Sequence, residues 1–169
     1  HLPIDEAHRL SPVGVYAKTN MMAEKAARAA HAHVVIARAF HHTGPGQDTG
    51  YALAGWAQQM ARGTPSIQVG DLSLRRDYSD VRDICAGYVL LAQKGTSHQA
   101  YDLCSWVEAR LLDMFNGLRG DRSCHPSEDP TRLRPNEVLE ARGHKRKAMS
   151  LGWRPKFSLS RSLEQLRLL

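Results

Sequence analysis

No glycine-rich turn of the GxGxxG kind occurs anywhere in the 169 residues, so the sequence carries no signal for the strand–turn–helix that cradles a dinucleotide pyrophosphate. The segment GPGQDTG, residues 44–50, is rich in glycine, but it has neither the spacing nor the following acidic residue of such a site. Cysteine is scarce too. Cys85, Cys104 and Cys124 form an odd set with no CxxC pair, which argues against both a disulfide framework and a zinc site and leaves free, mostly buried thiols as the expectation. No apolar run reaches the length of about 18 residues that a membrane span needs, and the N-terminus lacks the basic-then-apolar layout of a secretion signal. A cytoplasmic protein without membrane contact is therefore expected. Neither internal repeats nor low-complexity tracts are present.

Hydrophobic residues make up 42% of the chain, enough to bury a core, and the length suits one domain. The formal charge of +6 favours an anionic partner: a nucleic acid, an acidic protein or a phosphate-bearing small molecule. The basic run RGHKRK, residues 142–147, has no interleaved aromatics and reads as a solvated face, so nucleic-acid binding is not expected.

Residues 1–13 are irregular, and an alanine-rich helix follows from Gly14 to about Ala30. Its small side chains permit close packing against another helix, including one from a second copy. HVVIARAF, residues 33–40, reads as a buried parallel strand and HHTGPGQDTG as a loop. Further along, a helix is expected from Ala52 to Arg62 and strands at 66–70 and 100–105. Other helices are expected through Ile84 to Leu91, from Arg110 to Leu118, near Lys147 to Leu151 and from Ser160. The passage from Gly120 to Val138 reads as polar and extended. Strands alternating with helices predict an α/β chain with a parallel sheet.

Several segments resemble, in order, the C-terminal half of an extended short-chain dehydrogenase/reductase. They are PIDE with SPVGVYA, VVIARAFHHTGPGQ, VGDLSLRRDYSDVRD, YDLCS, LRPNEV and KAMSLGWRP. Within the NAD-dependent epimerase/dehydratase family they are most similar to the GDP-mannose 4,6-dehydratase and GDP-4-keto-6-deoxymannose reductase group. The resemblance implies a partial Rossmann-like parallel sheet lacking its N-terminal half, with a small C-terminal substrate-binding α/β region. Residues 3–62 would hold the catalytic helix, strand and loop, and residues 63–169 mainly the sugar-nucleotide region. It implies NAD or NADP as cofactor, not bound by this chain alone, and a GDP-sugar or other sugar nucleotide as ligand.

In that family a tyrosine exchanges a proton with the sugar hydroxyl or ketone, and a lysine one helical turn later lowers the phenol pKa from about 10. Tyr16 matches the tyrosine, but Asn20 stands at the lysine position. Asparagine can bond a ribose yet brings no positive charge. Lys18 and Lys25 lie roughly 200° and 180° around the helix from Tyr16 and do not replace it. Catalysis by this chain alone is therefore expected to be impaired, with Tyr16 as an ordinary helix-start aromatic the alternative.

The resemblance places Tyr16, Asn20, Ala39 and His42 beside the cofactor. It places His41, Gly70, Leu72, Arg75, Arg76, Arg134 and Glu137 around the sugar nucleotide, with arginines on the diphosphate and a carboxylate on the ribose. Ala39 replaces the usual proline and His41 the usual asparagine. The other reading of Arg75 and Arg76 is ion pairing with Asp77, Asp80 and Asp83. His31, His33, His41 and His42 fit no metal spacing.

Trp106 occupies a position where the family has glycine, so an altered backbone is expected there. The parallel strand at 33–40 needs neighbours on both sides. That need predicts either oligomerisation, a partner chain carrying the dinucleotide-binding half, or a rearranged sheet; the remaining reading of the whole chain is a non-catalytic binding or dimerisation module.

Overall fold

The computed structural model describes residues 2–134 and 137–168. Helix α1, Gly14–Ala29, is followed by strands β1, Ile36–Ala39, and β2, His41–Thr43. Then come α2, Ala52–Ala61, β3, Ser66–Val69, β4, Arg75–Asp80, and α3, Val81–Lys94. The remainder is β5, Ala100–Leu103, β6, Glu108–Arg110, α4, Leu111–Arg119, and β7, His125–Glu128. A 3-10 turn, Pro130–Arg132, leads to β8, Glu140–Ala141, α5, Arg146–Ser150, and α6, Leu159–Leu166.

Three small sheets result. β1 pairs in parallel with β5, and β3 in parallel with β7. β4 is shared along its length: its first residues lie between antiparallel β6 and parallel β8, and Tyr78–Asp80 pair with β2. The α/β class with parallel pairing is as the sequence suggests. Five of the strands are not. The first three residues of the presumed loop after β1 form β2, the RRDYSD segment is strand β4 rather than a lead-in to a helix, and β6, β7 and β8 are strands where none was expected. All five are largely polar, and their partners lie far along the chain, so periodicity within each segment carries no signal. The motif LRPNEV includes Pro135 and Asn136, which lie outside the described residues.

Helix faces follow the apolar spacing. In α2, Leu53, Trp56, Ala57 and Met60 share a buried stripe, and in α4 so do Met114, Phe115 and Leu118. With Ile67 and Val69 of β3 and Leu163 and Leu166 of α6 they build one core, in which Trp56 meets Phe115 edge-on at 5.7 Å between ring centroids. The second core joins Ile84 and Leu91 of α3 to Tyr101 and Leu103 of β5 and to Trp153. Here α3 packs directly on β5 because Gly87 has no side chain; a Cβ there would come within 2.8 Å of a Leu103 methyl. Asp80 caps α3, accepting the Arg82 N–H at 2.9 Å. Asp83 accepts the Lys156 and Phe157 amides at 2.9 Å each, which fixes the run into α6.

Helix α1 buries no residue at all. Of the three cysteines only Cys104 is buried, while Cys85 is exposed and Cys124 intermediate, so the expectation of mostly buried thiols is corrected. Cys85 lies on α3 beside the exposed Ala86, off the helix's apolar stripe.

Phe115 is fully buried and touches both α2 and α6 through its core. Phe115→Ala is expected to cost about 3–5 kcal/mol, read as a lower midpoint in urea unfolding with little change in slope.

Candidate active site

One cavity of about 760 Å³ opens where β1 and β2 end. Tyr16, Ala39, His41 and His42 line it, together with Phe40 and residues 43–47 of the glycine-rich loop. The entry segment contributes Ile4, Asp5, His8 and Leu10; Tyr51, Tyr78 and Asp102 complete the parts that matter here. Tyr16 is 82% exposed and sits at the cavity lip. Asn20 is exposed one turn further along α1 and is not among the described residues that line the cavity.

The loop keeps its shape through side chains. Thr43 Oγ1 donates to Gln47 Oε1 at 2.6 Å, and Gln47 Nε2 returns a bond to the His42 carbonyl at 3.1 Å. His42 Nδ1 lies 2.9 Å from the Phe40 carbonyl, which fixes the ring against its own strand. His41 packs on Tyr78, with ring centroids 5.3 Å apart. Its residue surface is open to the cavity, yet the imidazole sits among the cavity walls. That enclosure, followed by the nearby Arg76, His42 and Arg134, pushes its pKa down to about 4. At neutral pH His41 is therefore an uncharged hydrogen-bonding group, as the asparagine it replaces would be.

Apart from His41, the described residues expected around a sugar nucleotide fall outside this cavity's lining. Arg75 and Arg76 do not pair with Asp77, Asp80 or Asp83, which corrects that alternative: Arg75 Nε bonds Glu108 at 3.1 Å and Arg76 Nη2 bonds Glu137 at 3.0 Å. Asp80 and Asp83 serve as the cap and anchor already described. Arg76 is buried and also donates to the carbonyls of Arg75 and Leu139, so it fastens the segment leading into β8 to β4. Glu137 is thereby occupied on one oxygen. Gly70 lies against the Arg132 backbone, and Leu72 packs partly on the first core. Arg134 is exposed and close enough to His41 to act on its charge.

Asp77 was not singled out by sequence and is central here. Its carboxylate accepts the Ser105 N–H and hydroxyl on Oδ1, at 2.7 and 2.6 Å, and the Trp106 and Gly143 N–H groups on Oδ2, at 3.0 and 3.2 Å. Gly143 admits this closeness, since a Cβ would come within 2.7 Å of both Cys104 Sγ and Phe40. Trp106 takes φ of 70°, in the left-handed region. Tryptophan is held there by Asp77, which accepts its N–H, and its ring lies edge-on against His144 at 4.7 Å. Among the described residues no group of three or more potential ligands could hold a metal ion.

Parallel strands that end at a glycine loop and one tyrosine-edged cavity define a Rossmann-like fold of the short-chain dehydrogenase/reductase class. The chain belongs to the GDP-mannose 4,6 dehydratase family, whose model matches residues 1–166. It is 32% identical over 141 residues to the GDP-6-deoxy-D-mannose reductase of Pseudomonas aeruginosa, which covers 79% of this chain and 46% of that protein. The solved structure of RMD from Pseudomonas aeruginosa, complexed with NADPH, superposes with a TM-score of 0.89 at 28% identity. The match covers 99% of this chain and 59% of that one. A putative epimerase from Burkholderia cenocepacia superposes at 0.84 with 29% identity, over 98% of this chain and 58% of its own. The chain thus spans about half the length of the relatives it matches. The superposition over 99% of this chain shows the fold it shares with the Pseudomonas aeruginosa structure.

Because Trp106 pays for a left-handed backbone, Trp106→Gly is expected to be more stable than Trp106→Ala by about 1 kcal/mol, although both lose the same ring. Paired urea titrations check this, and equal midpoints would remove the strain from the account.

Proposed function

We propose that this chain supplies the substrate-binding half of a GDP-mannose-type dehydratase or reductase and is impaired in catalysis by itself. The single observation carrying this reading is the cavity, in which the residues matched to the family's proton-transfer and sugar-loop positions, Tyr16, Ala39, His41 and His42, meet around one space. The residues that fit a nicotinamide cofactor, NAD or NADP, fit its ring and ribose end only. Tyr16, Asn20, the Ala39 backbone and His42 would border it. The sequence offers no GxGxxG turn for the pyrophosphate, which supports the reading that this chain alone does not hold the dinucleotide. When bound, the cofactor supplies or accepts hydride.

What this chain contributes is orientation and one proton. The Tyr16 hydroxyl would exchange a proton with a sugar hydroxyl or ketone, unaided by the charge that a lysine at position 20 would give. His41, neutral, would bond the sugar or its linkage, and Arg134 and Arg75 would meet the diphosphate. Residues 63–169 mainly carry this sugar-nucleotide side. The uncovered outer edge of β1 and the unburied α1 are places for a second copy or a chain bearing the dinucleotide half. An alternative is a non-catalytic binding or dimerisation module. It draws support from Asn20.

Thermal-shift titration against GDP-mannose, GDP, NAD and NADP tests the reading. GDP-mannose is expected to stabilise the chain, by about 2.7 kcal/mol at a hundredfold excess over Kd, and the dinucleotides are not. Arg134→Ala is expected to weaken GDP-mannose binding about tenfold or more while leaving the unliganded midpoint unchanged. Absence of any GDP-mannose response would overturn the proposal.

A further inference from the structure

Arg38 of β1 lies in register opposite Asp102 of β5, yet the two side chains do not pair. The Arg38 guanidinium grips Glu24 of α1 with two bonds, Nε to Oε2 at 3.0 Å and Nη2 to Oε1 at 2.8 Å, and sends Nη1 to the Glu6 carbonyl at 3.3 Å. Asp102 is left 2% exposed in the cavity wall, and its Oδ2 has no hydrogen-bond partner. Its backbone N–H donates to Glu6 Oε1 at 2.9 Å. The Glu6 carboxylate on the entry segment is therefore bonded to the backbone of the residue that carries the other acid, while the arginine beside them is committed elsewhere.

Further groups act on Asp102. Asp5 adds negative charge from the entry segment, Lys147 of α5 adds positive charge, and Cys104 follows two residues later on the same stretch of chain. The Lys147 ammonium is itself bonded to Gln99 Oε1 at 3.0 Å and sits 4.7 Å from the centre of the Tyr101 ring. Burial, then the Glu6 charge, outweigh Arg38 and raise the Asp102 carboxyl to a pKa of about 7. Burial thus favours the protonated form of the acid at this point.

We propose that Asp102 is a proton-operated latch: protonated, it keeps residues 4–10 seated as one wall of the cavity, and ionised, it repels Glu6 and Asp5 and releases that wall. The other ties of the segment are few. The Ile4 N–H donates to the Arg142 carbonyl at 2.8 Å, and Ile4 bridges Gly143. Because Ile4, Asp5, His8 and Leu10 all line the cavity, release of the segment widens access to it.

The direction of the effect follows from the raised value. Asp102 contributes stability to the seated segment that is complete below its ordinary pKa of about 4 and is lost as pH rises through about 7. Between pH 6 and pH 8 the opening constant of the segment should rise about tenfold and then level off.

Hydrogen-exchange protection of the Ile4 and Asp102 amides in the full chain, corrected for intrinsic exchange, tests this at pH 6 and pH 8. The wild-type chain is expected to open about tenfold more at pH 8, while Asp102→Asn, neutral at both, changes less than about twofold. Glu6→Gln keeps the acceptor for the Asp102 N–H but removes a charge, so its opening step should move to lower pH. A wild-type opening constant that does not rise, a parallel rise in Asp102→Asn, or an unmoved step in Glu6→Gln would overturn the latch. So would failure of Asp102→Asn to fold at pH 6, since asparagine reproduces the size and neutrality of the protonated acid.

Discussion

The Asp77 carboxylate is the tie on which the arrangement of strands depends. It leaves β4 at the point where that strand passes from its β6 and β8 neighbours to β2, and it accepts four hydrogen bonds from the turn after β5 and from Gly143. A buried carboxylate is costly unless its lone pairs are met, and here they are met by groups that would otherwise be orphans themselves. The same bonds bring the β1–β5 pair against the β4 sheet and hold Trp106 in its left-handed conformation. Gly143 is required on one side of this junction because Cys104 and Phe40 leave no room for a side chain.

From that junction the cavity follows. β1 and β2 are consecutive but belong to different sheets, so the chain between them turns at Phe40 and exposes Ala39, His41 and His42 to one space. The Thr43–Gln47 pair then folds the glycine loop back over it. Charge is handled by commitment rather than by proximity in sequence. Arg76 is spent on Glu137 and on two carbonyls, Arg38 on Glu24, and Arg82 on Asp80. These choices leave Asp102 as a buried acid without a cation and Arg134 as an exposed cation near His41.

Much of this was legible in the sequence. The apolar stretches around β1, β3 and β5 and the stripes of α2, α3 and α4 report their own burial, and the ordered motifs fix the family. The largely polar strands β2, β4, β6, β7 and β8 were not legible, because what makes His41–Thr43 or Arg75–Asp80 extended is a partner many residues away. For the same reason the partners of Arg75 and Arg76 were sought among nearby aspartates. Those aspartates had other duties: Asp77 at the junction, Asp80 at a helix cap, Asp83 at the approach to α6. At Trp106 nothing in the sequence signalled the hydrogen bond to Asp77 that holds a non-glycine residue at positive φ.

The central claim, that the sheets are joined through one carboxylate, is tested most directly by equilibrium unfolding of Asp77→Asn. Asparagine keeps the shape but turns one acceptor into a donor, which faces N–H or O–H groups that then lose their partner. The account predicts a loss of at least about 2 kcal/mol, since two or more buried donors go unsatisfied. A loss below about 0.5 kcal/mol, within the range of an ordinary surface substitution, would contradict it.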